Sequence, residues 1–78
     1  MKVLLTGGAG FIGSCMLRRL NDAGIKDIMV VDHLGNSDKW KNLVGKDFQE
    51  YFEKNKFLDI IARGTLDKDI DAVVHFGA

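Results

Sequence analysis

Four glycines, Gly7, Gly8, Gly10 and Gly13, stand within seven residues, directly after the apolar run Val3-Leu4-Leu5-Thr6. Glycine in such a turn admits unusual backbone angles, removes the side chain that would hold a ligand away from the main chain, and lets a following helix pack tightly on the strand. A helix beginning there adds unpaired N–H donors and the positive end of its dipole. That combination suits the pyrophosphate of a dinucleotide. Both glycine spacings in use for it are present, Gly8-x-Gly10-x-x-Gly13 and Gly7-x-x-Gly10-x-x-Gly13, and they share Gly10 and Gly13. Asp32 follows Gly13 by 19 residues, at the end of the next apolar run, where an acid accepts hydrogen bonds from the adenosine ribose.

Other chemistries fit less well. A P-loop needs Lys after its last glycine, and Ser14 follows Gly13. His33, His75 and Cys15 fall on separate elements without ligand spacing, so no metal site is expected. Cys15, among Ile12, Met16 and Leu17, reads as a packing residue. Catalysis by Tyr-x-x-x-Lys needs i to i+4 spacing on a helix, but Tyr51 has Lys54 at i+3 and Asn55 at i+4. Tyr51 is therefore read as packing, and no catalytic residue is assigned within the chain.

These residues require a strand–helix–strand frame. Residues 2–6 form a nearly continuous apolar run, as in a parallel strand buried on both faces. From Phe11, the residues Ile12, Met16, Leu20 and Ala23 recur at helical spacing, and Gly24 suits the helix C-terminus. Residues 27–32 give a second strand, residues 33–41 a loop, and residues 42–48 a short third strand around Leu43 and Val44. A second helix is expected from Glu53 to near Arg63 and Gly64, carrying Phe57, Leu58, Ile60 and Ile61; residues 71–76 make the fourth strand. Alternation of this kind predicts an α/β fold, the N-terminal half of a doubly wound parallel-sheet Rossmann fold with about four strands.

The chain has 78 residues, short of the roughly 100–150 usual for a domain. Residues 1–78 are thus expected to form a partial NAD(P)-binding domain, with the remaining catalytic and substrate region beyond them. Eleven basic residues balance 11 acidic ones, which gives no field for nucleic acid or an anionic membrane. The apolar runs fall far short of the ~20 residues needed to span a bilayer. With a single cysteine and no signal-peptide core, a cytoplasmic protein is expected.

The stretches Thr6-Gly7-Gly8-Ala9-Gly10-Phe11-Ile12-Gly13-Ser14, Val30-Val31-Asp32 and His75-Phe76-Gly77-Ala78 resemble the extended short-chain dehydrogenase/reductase superfamily of nucleotide-sugar epimerases and dehydratases. More narrowly, residues 20–28, 31–34, 39–43 and 51–58 resemble the N-terminal portion of the branch that inverts C6 of the heptose in ADP-glycero-manno-heptose. The resemblance implies an NADP-dependent isomerase that oxidises a sugar carbon and re-reduces it on the opposite face. It implies pyrophosphate contacts at Gly7, Gly10, Phe11, Ile12 and Gly13, and Asp32 and His33 beside the adenosine ribose. Lys39 and Lys54 would neutralise a 2′-phosphate, and His75, Gly77 and Ala78 would lie along the cofactor. One departure is His33, where Asn is frequent in the family. The resemblance also implies a nucleotide-sugar substrate, a homo-oligomer at full length, and Ser/Thr and Tyr-x-x-x-Lys groups beyond Ala78, without which residues 1–78 are expected to be inactive. The alternatives are an NAD-dependent UDP-sugar epimerase or dehydratase, or a nucleotide-binding module without catalysis.

Overall fold

In the computed structural model, which describes residues 1–34, 38–64 and 69–76, strands and helices alternate along the chain. Strand β1 (Val3–Thr6) leads into helix α1 (Phe11–Asp22) and strand β2 (Ile28–Asp32). A 3-10 helix (Asp38–Leu43), strand β3 (Glu50–Glu53), helix α2 (Lys54–Ala62) and strand β4 (Ala72–His75) follow. The four strands form one parallel sheet in the order β3-β2-β1-β4, the N-terminal half of a Rossmann-like fold. In this order the chain steps outward from β1 to β3, then crosses back to place β4 on the other side of β1. Such a reversal opens a crevice at the carboxyl ends of the strands.

Both faces of the central strands β1 and β2 are covered, which explains their unbroken apolar runs, whereas Val73 of edge strand β4 is 62% exposed. On one face Val3, Leu5, Ile28 and Val30 pack with Leu17 of α1. On the other, Leu4, Met29 and Val31 pack with Phe57 of α2. Alternate strand residues point to opposite faces, so a run buried on both sides needs apolar residues at every position.

Helix α1 ends where the sequence places its stop, with Gly24 at φ +84°. The Gly24 N–H donates to the Asn21 carbonyl (2.9 Å), and the Ile25 N–H donates to the Leu20 carbonyl (2.9 Å). This is a Schellman ending, completed by Leu20 and Ile25 packing on the same core cluster. The inner line of α1 differs from the expected stripe. Gly13, Ser14 and Leu17 are the buried positions, with Met16 and Leu20 partly buried. Ile12 is 65% exposed and Ala23 is also exposed. The contact line is displaced by one residue because Gly13, lacking a side chain, brings the start of the helix against the turn, which rolls Ile12 outward. Cys15 is exposed and does not pack as expected. It stands two positions from Gly13, about 200° around the helix from that contact.

The third strand also differs from expectation. Leu43 ends the 3-10 helix, Val44 is exposed, Gly45 turns the chain at φ +77°, and β3 begins only at Glu50. As an edge strand, β3 needs just one apolar residue per face, Tyr51 toward the α1 side and Phe52 toward the α2 side. Two apolar residues between glutamates make no apolar run. Residues 38–41, expected to be loop, belong to the 3-10 helix. No helix among the described residues is long and apolar enough to cross a membrane.

Candidate nucleotide-binding site

Thr6, Asp32 and His75 close strands β1, β2 and β4, and all three line one cleft of about 660 Å³. Gly7, Gly10, Phe11, Ile12 and Gly13 line it from the glycine turn and the start of α1. His33 follows β2 into its wall, Lys39 reaches it from the 3-10 helix and Lys54 from the first position of α2. The described residues singled out from the sequence therefore share one surface. Gly77 and Ala78 lie outside the described residues.

The glycines of the turn do different jobs. Gly7 has φ +73°, a left-handed conformation, and a Cβ there would collide with the Phe76 carbonyl. A Cβ on Gly13 would collide with the Gly7 carbonyl, so this glycine is what allows α1 to sit against the turn. Gly10 is unlike both. Its Cβ would meet only the Gly7 oxygen, at 3.4 Å, which is ordinary contact. Nothing inside the protein forbids a side chain at Gly10, and the space it leaves belongs to the cleft. Gly8 is crowded as well, since a Cβ there would lie 2.8 Å from Val30 Cγ1, so Gly7, Gly8 and Gly13 serve the fold and Gly10 alone of the four leaves an open approach.

Gly10 is also the N-cap of α1, in extended conformation with no side-chain cap, and the first turn holds no acidic residue. The amides of Phe11, Ile12 and Gly13 precede the first possible intrahelical acceptors. Their donors and the helix dipole favour an anion at this end. The first internal bond is Ser14 N–H to the Gly10 carbonyl, 2.8 Å.

Asp32, with 9% of its side chain exposed, is anchored at both oxygens. Oδ2 accepts from the Ala9 N–H (2.8 Å), and Oδ1 accepts from the His33 N–H (2.6 Å) and from Lys39 Nζ (3.3 Å). His33 Nδ1 lies 3.5 Å from Glu53 Oε2, and the Leu34 N–H donates to Glu53 Oε1 (3.2 Å). The single proton of the Tyr51 hydroxyl is shared between the Asp32 carbonyl (3.1 Å) and Glu53 Oε1 (3.2 Å). Burial raises its pKa far above the usual tyrosine value, and the neighbouring Glu53 carboxylate adds to the rise. A phenol held protonated in this way props the carboxyl end of β2 and is a poor base. Across the cleft, the Thr6 hydroxyl and His75 Nδ1 are hydrogen-bonded between β1 and β4.

Residues 3–78 match the NAD dependent epimerase/dehydratase family. The chain belongs to that family. Among curated relatives, the ADP-L-glycero-D-manno-heptose-6-epimerases of Nitratidesulfovibrio vulgaris strains DP4 and Hildenborough are each 53% identical over 75 residues, 96% of this chain. The chain spans 23% of the length of those relatives.

Within this epimerase/dehydratase chain, several residues of the cleft went unassigned in the sequence. Phe57 and Leu58 of α2 and Val31 of β2 make an apolar wall. The spacing of α2 marked Phe57 and Leu58 as apolar, but one strip of a helix can serve a core and a cleft at once. Asn42 was missed entirely: its Nδ2 donates to the Ala9 carbonyl, 2.8 Å, across a separation of 33 residues. Only the three-dimensional structure supplies that pairing.

Proposed function

We propose that the cleft binds NADP, with its pyrophosphate over Gly10, Phe11 and Ile12, and that the chain is the N-terminal, cofactor-binding part of a nucleotide-sugar epimerase. The observation that carries this reading is the openness at Gly10, where the backbone is bare toward the cleft although the fold would accept a Cβ. A cradle that a Cβ would fill is what close approach of a phosphate requires. Family membership supports a nicotinamide cofactor, and the family description names NAD. Lys39 and Lys54 favour NADP, because a cation on Asp32 and a second one in the same cleft offset the repulsion the carboxylate would exert on a 2′-phosphate.

When bound, the nicotinamide supplies a hydride acceptor and then a donor, so a sugar carbon is inverted without net redox change. The chain's own residues hold and orient. Gly7 and Gly13 shape the turn, the amides of Phe11 and Ile12 meet the pyrophosphate, and Asp32 and His33 flank the adenosine ribose. His75 lines the path toward the reacting end. The substrate we infer is ADP-glycero-manno-heptose, inverted at C6, as the names of the relatives suggest. A cytoplasmic homo-oligomer belongs to the same proposal, as does inactivity of residues 1–78 without the catalytic groups that follow.

The test is turnover. The chain, expressed with whatever its reading frame supplies beyond residue 78, should interconvert the two C6 epimers of ADP-glycero-manno-heptose in the presence of NADP. NADP binding without turnover of this sugar, but with turnover of a UDP-sugar, would replace the substrate. Absence of any NADP or NAD binding would refute the reading.

A further inference from the structure

Ala9, at the centre of the glycine turn, is fully buried and held by side chains from two other elements. Its N–H donates to Asp32 Oδ2 (2.8 Å), and its carbonyl accepts from Asn42 Nδ2 (2.8 Å). The peptide group joining Ala9 to Gly10 is fixed at its other side too, because the Gly10 N–H donates to the Gly7 carbonyl (3.1 Å). One peptide, Gly10–Phe11, separates this group from α1, and its oxygen is held in turn by the Ser14 N–H (2.8 Å), so the orientation of the Ala9–Gly10 plane is passed on through Gly10 to the amides of Phe11 and Ile12. A peptide plane held at both its oxygen and its N–H has lost the rotation that would otherwise spread those donors.

Asn42 sits on the 3-10 helix that also carries Lys39, and residues three apart in such a helix lie over one another. One edge of this short helix therefore faces β2 and the turn, with Lys39 on Asp32 and Asn42 on Ala9. We infer that Asn42 is a positioning residue for the pyrophosphate-binding turn: its amide locks the Ala9–Gly10 peptide so that the α1 amides are aimed before the ligand arrives. This rests on the nucleotide-binding reading and assigns Asn42 no contact with the nucleotide.

The experiment compares Asn42→Ala and Asn42→Asp with the unaltered protein, again with all that the reading frame supplies, using NADP, NAD and adenosine 2′-monophosphate as probes. NADP and NAD affinities should each fall about tenfold, the factor equivalent to ~1.4 kcal/mol. Adenosine 2′-monophosphate, which has no pyrophosphate, should bind within about twofold of the original. The Asp variant keeps the shape of Asn but has no donor, so it should lose at least as much as Ala. Recovery of affinity in Asn42→Asp would overturn the inference, because shape and not the donor would then matter. Equal losses for all three probes, or loss of the folded state in both variants, would overturn it by showing a general structural role. Unaltered NADP affinity in both variants would overturn it directly. If the unaltered protein binds none of the probes, the nucleotide reading fails and takes this inference with it.

Discussion

Replacing Gly10 with Ala separates a glycine kept for a ligand from one kept for the fold. The backbone there, φ −72° and ψ 171°, is open to any L-residue, and the added Cβ would meet only the Gly7 oxygen at 3.4 Å. Ala is a poorer N-cap than Gly by about 0.5–1 kcal/mol. Stiffening the unfolded chain returns about 0.4–1 kcal/mol. These nearly cancel, so Gly10→Ala should melt within a few degrees of the original protein. At Gly13 the same change drives a Cβ into the Gly7 carbonyl, and overpacking of that kind costs at least ~1–3 kcal/mol. Thermal melts followed by calorimetric NADP titration make the comparison. Gly10→Ala should retain stability and lose more than about tenfold in affinity, equivalent to ~1.4 kcal/mol, since one methyl group holds a phosphate off the backbone. A melt as depressed as that of Gly13→Ala, or unchanged NADP affinity, would refute the division of labour between these glycines.

Lys39→Ala should weaken NADP by roughly one to two orders of magnitude, since a charge-assisted hydrogen bond is worth about 1.5–3 kcal/mol, and leave NAD within about twofold. Parallel titrations with the two nucleotides decide this; equal losses would remove Lys39 from the 2′-phosphate. Tyr51→Phe should cost about 1 kcal/mol near neutral pH through the lost bonds to Asp32 and Glu53. Its alkaline behaviour is a separate check. Folding raises the Tyr51 pKa above the ordinary 10.0, so the folded state keeps its proton where the unfolded state has lost it. That contribution is intact below pH 10 and declines as pH rises above it. Denaturant melts across this range should show a steeper loss for the unaltered protein than for the Tyr51→Phe variant, and identical slopes would count against it.

Much of this architecture is legible in the sequence because its decisive signals are local. The glycine turn, the apolar run before it and Asp32 after the next run are neighbours along the chain. Gly24 announces the end of α1 for the same reason: a left-handed residue there satisfies the last carbonyls whatever lies elsewhere. The failures involve relations between elements. Strand β3 at the sheet edge offers only Tyr51 and Phe52 to the two faces, whereas Leu43 and Val44 offered a more apolar pair that goes to a 3-10 helix and to solvent. The exposure of Ile12 follows from how closely Gly13 brings α1 to the turn, which no helical period reveals. Periodicity likewise leaves the glycines equivalent; only their surroundings distinguish crowded Gly7 and Gly13 from open Gly10. The clamp from Asn42 to Ala9 depends on where the 3-10 helix lands, a contact between segments far apart in sequence.

The most direct test of the central claim, that the turn leading into α1 receives a dinucleotide pyrophosphate, is an NADP titration followed residue by residue through backbone amide NMR shifts. The largest changes should fall on Gly10, Phe11, Ile12 and Gly13, with smaller ones at Asp32 and His33, while Gly24 at the far end of α1 stays put. Saturating NADP that leaves the amides of residues 10–13 unmoved, or shifts concentrated away from the carboxyl ends of β1, β2 and β4, would contradict it.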